Sequence, residues 1–195
     1  MSIIDKIIGA ITPPESEEER REATARARMH AGKAPWLALV LDHHRQIDAA
    51  FLAVKATRTT EDRKSALRQL AQLLTAHAIA EETVIYPALS DKGESGHATM
   101  AYTEQSAAKM QMGLLERMDL MSEDFDDKFA HLEGAVKHHV YEEEGKWFIE
   151  LTEMAPAADH QHIADRYRQE FDRYFNGGEK GDGRPAADGV TGIYV

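Results

Sequence analysis

The chain of 195 residues contains no cysteine. That absence removes disulfides, thiolate zinc sites, iron–sulfur clusters and cysteine nucleophiles together. Any metal must be bound through nitrogen and oxygen, a donor set that suits iron, manganese or zinc. Positive charge is also scarce: 23 Lys and Arg against 34 Asp and Glu give a net charge of −11. Such a balance disfavours nucleic-acid phosphates and anionic membrane surfaces as partners. No apolar run reaches the roughly 18 residues that a bilayer span needs. The N-terminal MSIIDKIIGAITPPESEEER has a short apolar run, broken by Asp5 and Lys6, with neither a basic start nor a small-residue cleavage site. A signal peptide is not expected from it, and a cytoplasmic location is. No separate nucleophile or general acid–base pair stands out, so no catalytic side chain is assigned and a hydrolase finds little support.

What the sequence has is helical periodicity. In a first helix, from about residue 34 to 57, Leu37, Val40, His44, Ile47, Phe51 and Val54 advance in steps of 3 and 4, one face of an α-helix. A second, from about 60 to 89, carries the stripe Leu67, Leu70, Leu74, His77, Glu81 and Val84, with Pro87 placed to kink or end it. A third, from about 97 to 121, aligns Ala101, Gln105, Ala108, Met112 and Leu115. A fourth, capped near Ser122 and running to about Met154, aligns Phe125, Phe129, Leu132, Val136, His139 and Glu143. The expected fold is all-α: an antiparallel up-down-up-down four-helix bundle over 34–155. An N-terminal helical arm (1–33) precedes it, and a fifth helix (about 159–175) with a flexible tail (156–195 in all) follows. Residues 3–11 suggest one or two amphipathic turns ended by Pro13 and Pro14, and the terminal GIYV is a segment that could dock. From Glu15 to Met29 the chain is highly charged and its apolar face is thin: Ala23, Ala25, Ala27 and Met29. It reads as a solvated surface helix by default, or else as an arm that needs a partner.

Histidine and glutamate occupy stripe positions where a core leucine is expected. Periodicity selects His44 over His43, His139 over His138, and Glu143 over Glu142. Buried charge is costly unless it is paired or binds a metal. Residues four apart project side by side from a helix, so His77 with Glu81, and His139 with Glu143, each reach a common ion or bridge two. With His44 they provide three imidazoles and two carboxylates, for which a non-haem di-iron centre fits best, with manganese or zinc as alternatives. His97, His131, His160 and His162 lie off the stripes and read as surface residues. The segments HAIAEETVIYP (77–87) and HVYEEEGKWFI (139–149) echo each other: His, three residues, Glu, then an aromatic five positions on.

The runs LDHHRQIDAAF (41–51), HAIAEETVIYPAL (77–89), EQSAAKM (104–110) and HHVYEEEGKWF (138–148) resemble, in order, the four helices of the hemerythrin-like HHE cation-binding domain family. The resemblance covers about residues 36–150. It implies an antiparallel bundle around two iron ions joined by an oxo or hydroxo bridge. It also implies terminal histidine ligands at His44, His77 and His139, and bridging glutamates at Glu81 and Glu143. One position departs from the family pattern: Gln105 stands where the third helix usually offers a histidine. Four readings remain open. Gln105 ligates weakly or bonds a metal-bound water; another side chain such as Tyr102 substitutes; one metal keeps an open position; or the site holds a single metal, or zinc. The expected partner is a small diatomic or peroxide, namely O2, NO or peroxide, with oxidoreductase turnover left open. The alternatives are a metal-dependent sensor, an iron store or delivery protein, and a zinc-stabilised domain. Asp42, Glu82, Tyr86 and Tyr141 are the expected outer partners of the site, and the terminal extensions suit either packing or homodimer contact.

Overall fold

The computed structural model describes residues 15–177. The expectations for residues 3–11, Pro13 and Pro14, and for the tail beyond Gly177, lie outside the described residues. Within them the chain forms six helical rods. They are α1 (Glu17–Ala31), α2 (Pro35–Ala56), α3 (Thr60–Ala80) continuing into α4 (Tyr86–Asp91), α5 (Ser95–Leu115), α6 (Glu123–Glu142) continuing into α7 (Phe148–Met154), and α8 (Asp159–Phe175). Two rods are interrupted by a single wide turn with i→i+5 bonding, at Glu81–Ile85 and at Glu143–Trp147.

Local chemistry explains most boundaries. Ser16 opens α1 with a reciprocal capping box to Glu19, and three acids follow in the first turn. Pro35 begins α2, where its missing N–H costs nothing. Thr59 and Ser122 cap α3 and α6 by accepting from the N–H groups of Asp62 and Phe125. Gly93, at φ 101°, supplies the left-handed residue that ends α4 and turns the chain into α5. α5 stops at Leu115, short of the expected Met121. A long-range contact sets this end: the Arg63 guanidinium donates to the carbonyl of Leu120 at 2.7 Å and to Asp126 at 2.9 Å, pinning the connecting turn.

The four bundle rods enclose a core built on Trp36, Leu37, Ile47, Phe51, Leu70, Ile85, Phe125 and Phe148. The two extensions pack onto it. α8 lies along α2 and α3, burying Ile163, Tyr167 and Phe171. It covers a second face of α3, which is why Leu73 is buried while Leu74, on the expected stripe, is only partly so. α1 lies against α2 and the Glu143–Trp147 turn through Ala23 and Ala27, both fully buried. This corrects the default expectation of a solvated helix: alanine's small side chain permits close approach without a strong hydrophobic signature. His160 is a second correction, since it is buried and accepts the indole N–H of Trp36 at 3.1 Å. His131 and His162 are exposed as expected.

Candidate metal centre

His44 comes from α2, His77 from α3, Gln105 from α5 and His139 from α6, while Glu81 and Glu143 each open a wide turn. All six are buried, and both carboxylates are 0% exposed. One donor atom each from His44, His77, Glu81 and Glu143 lies within 4.8 Å of the others. His77 Nε2 is 3.1 Å from Glu81 Oε2, and His139 Nε2 is 3.2 Å from Glu143 Oε1. His44 Nε2 sits between the carboxylates, 3.3 Å from Glu143 Oε2 and 3.7 Å from Glu81 Oε1, without hydrogen-bond alignment. The tandem partners fall elsewhere: His138 is exposed and reaches Glu15, and His43 stacks on Phe171 with ring centroids 3.8 Å apart.

Each inward histidine is held from behind through its other nitrogen. His44 Nδ1 meets Glu144 at 2.7 Å, His77 Nδ1 meets the Tyr167 hydroxyl at 3.0 Å, and His139 Nδ1 meets Glu104 at 2.8 Å. Such partners fix a ring's orientation and leave Nε2 free to point at an ion. None of the three was among the expected outer partners. Glu104 and Glu144 lie one position from a stripe, and Tyr167 comes from the fifth helix, so no local pattern announces them. Glu144 is itself bonded by Thr24 of α1, which ties the arm to the centre. Of the expected partners, Asp42 is exposed beside Arg45, and Glu82 pairs with Lys109. Tyr141 lines a cavity of about 430 Å³ between α1, α2 and α6, which His44 and Glu144 also border.

Tyr86 is where the expectation was too modest. Its hydroxyl lies at the middle of the cluster, 2.8 Å from Glu143, 3.2 Å from Glu81, 3.1 Å from His139 Nε2 and 2.6 Å from Gln105 Nε2. Tyr86 follows Glu81 by five residues, about 140° around an ordinary α-helix. The wide turn between them, closed by the Tyr86 N–H on the Glu81 carbonyl, brings both onto the same face. Tyr102, the substitute suggested for the missing histidine, instead gives its hydroxyl to the Glu82 carbonyl at 2.7 Å.

The interior draws positive charge. Burial and the neighbouring Glu143 push the Glu81 carboxyl up to about 7. Burial also opposes a charged Glu143, but His139 and His44 overcome it and hold that carboxyl below its usual range. Burial disfavours charged His139 as well, yet Glu143 and Glu104 raise it to about 10. The buried His44 ring is likewise raised by Glu143, Glu144 and Glu81. His77 is lowered, by burial and then by the charge of His44. Protons on two imidazoles thus do what a cation would do. His44 Nε2, Glu81 Oε1, Gln105 Oε1 and Glu143 Oε2 are nevertheless buried without a hydrogen-bond partner. Buried polar atoms are rarely left so, and the three on His44, Glu81 and Glu143, which lie together, fit a bound cation.

The HHE family sequence model, described as Hemerythrin HHE cation binding domain, matches residues 37–151. The chain belongs to this family. It is also 28% identical over 108 residues to a protein named DNA nickase from Nostoc sp. (strain PCC 7120 / SAG 25.82 / UTEX 2576). That match covers 55% of this chain and 31% of the relative, so this hemerythrin-family chain spans well under half of that protein. No solved structure matches it. A cation-binding family and a buried His/Glu cluster together make this a metal-binding domain. Among the described residues one other group has similar composition: Glu94, His97 and Glu150. It is only half-buried, and the Lys146 ammonium lies 3.4 Å from His97 Nε2, where it opposes a second cation. No helix among the described residues is long and apolar enough to cross a membrane.

Proposed function

We propose that this chain holds two iron ions between Glu81 and Glu143 and that the pair reacts with a small oxidant: O2, peroxide or NO. The carrying observation is that three unpartnered buried atoms converge: His44 Nε2 lies 3.3 Å from Glu143 Oε2 and 3.7 Å from Glu81 Oε1. Two carboxylates with four oxygens suit two ions better than one. Glu81, Glu143, His44, His77 and His139 would hold them. Nitrogen and oxygen donors without thiolate favour iron, with manganese or zinc as the alternatives. The bound ions would supply redox and Lewis-acid chemistry.

The protein's own part is orientation, charge balance and exclusion of water. Glu144, Tyr167 and Glu104 hold the three rings. Phe148 stacks along His44 with centroids 6.3 Å apart and makes that side of the site apolar. The cavity beside His44 and Glu144 offers a small molecule an approach from the α1 side.

The name of the Nostoc relative suggests a DNA-directed role for that protein. Carrying it here is opposed by the net charge of −11, since duplex binding depends on cationic phosphate contacts. The test of the oxidant reading is iron loading followed by titration with hydrogen peroxide under a visible spectrum. The expected result is about two irons per chain with charge-transfer bands that change on addition. Bands that ignore peroxide contradict it. A colourless zinc protein points to the structural alternative, and iron far above two per chain points to storage.

A further inference from the structure

A phenol has one proton to give. The Tyr86 oxygen faces Glu143 Oε1 at 2.8 Å, Glu81 Oε2 at 3.2 Å and His139 Nε2 at 3.1 Å. His139 Nδ1 is occupied by Glu104, so a ligating His139 would present its Nε2 lone pair toward the same oxygen. Three lone pairs then converge on a hydroxyl able to satisfy one of them. From another side Gln105 Nε2 donates to the same oxygen at 2.6 Å and to Glu81 Oε2 at 2.7 Å. The flipped amide would set its carbonyl against the Glu81 carboxylate, so the donor orientation is the favoured one. Atoms bound to one first-row metal at about 2.0–2.2 Å stand about 3 Å apart when adjacent. The triangle of Tyr86, Glu143 and His139 has sides of 2.8, 3.1 and 3.2 Å.

We propose that Tyr86 is itself a metal ligand, through its phenolate oxygen, on the His139 side of the centre. It takes the coordination position left by the absent third-helix histidine, and Gln105 positions it by donating to its oxygen. The proposal rests on the metal reading above. On metal uptake the phenol O–H bond breaks, an oxygen–metal bond forms, and the proton leaves to solvent with the others that metal binding displaces. The ion reverses the preference of a buried phenol for its neutral form. At the matching place in the second echo stands Phe148, so the two halves differ there by a hydroxyl.

The experiment is resonance Raman spectroscopy of the full chain, loaded with iron and oxidised to the ferric state, with iron content measured on the same sample. The expected result is tyrosinate ring modes enhanced through a visible phenolate-to-iron charge-transfer band. Tyr86→Phe should abolish both while keeping at least one iron per chain, and Tyr102→Phe should change neither. Wild-type protein with about two irons and no tyrosinate modes overturns the proposal while leaving the metal centre standing. Modes that survive in Tyr86→Phe, or vanish in Tyr102→Phe, also overturn it. A folded wild-type chain that takes up no iron overturns the metal reading, and the Tyr86 assignment with it. If Tyr86→Phe fails to fold, the wild-type spectrum alone decides.

Discussion

The segments 77–87 and 139–149 are two versions of one device. In each, a histidine and a glutamate four residues apart face the interior, a wide turn opens at the glutamate, and an aromatic five positions on swings back toward the centre. Pro87 lies just beyond the first turn, whereas the second has no proline, so proline does not account for both. The shared element is the buried glutamate, and wide turns of this kind recur at functional sites. The halves differ in their supports. His77 rests on a neutral phenol, Tyr167, and burial keeps it unprotonated; His139 rests on a carboxylate, Glu104, which helps hold its proton. The first half ends in Tyr86 among the candidate ligands, the second in Phe148 against His44. One scaffold used twice therefore gives an asymmetric pair of positions.

The strongest way to break this comparison is to remove a carboxylate both positions share. Glu81→Ala and Glu143→Ala are each expected to lower iron from about two equivalents to one or less, read by elemental analysis of folded protein. Removing a support should do less. Glu104→Gln on the His139 side is expected to weaken iron affinity about 10- to 100-fold, the usual range for partners behind a metal ligand. Tyr167→Phe on the His77 side should fall at the lower end of that range, because it removes a neutral hydrogen bond. Competition with a chelator measures both, and equal losses would show that the two supports are equivalent.

His43 gives a smaller, pH-dependent effect. Burial and the adjacent His44 lower it to about 4, below its unfolded value of 6.5. Folding therefore favours its neutral form. That contribution is complete above about pH 6.5 and is lost as the pH falls toward 4. In metal-free protein, His43→Phe should lessen the loss of stability between pH 7 and pH 5 by on the order of 1 kcal/mol, allowing for partial exposure. Urea unfolding at the two pH values measures this. His43→Ala and His138→Ala should leave iron content unchanged, the smallest effect of the series, since neither ring faces the centre.

The sequence made the helices legible because each stripe is long and regular. It made the buried placement of His44, His77, Glu81, His139 and Glu143 legible because polar residues on such stripes stand out. Tyr86 was visible as an aromatic in the echo and as an outer partner, not at the middle of the cluster. Its place in the centre depends on a wide turn, and helical periodicity assumes that no such turn occurs. Glu104, Glu144 and Tyr167 were missed because their roles arise from contacts between rods rather than within one. The packing of α1 was only the second reading, for a different reason: Ala23 and Ala27 bury well but score weakly as apolar. The end of α5 depends on Arg63, distant in the sequence, so no cap near Leu115 announces it.

Anomalous diffraction at the iron edge, on crystals of the iron-loaded chain, tests the central claim most directly. Two peaks are expected between Glu81 and Glu143, each about 2.0–2.2 Å from oxygens or nitrogens of the named side chains. No peak there, or a single peak at Glu94, His97 and Glu150 instead, would contradict it.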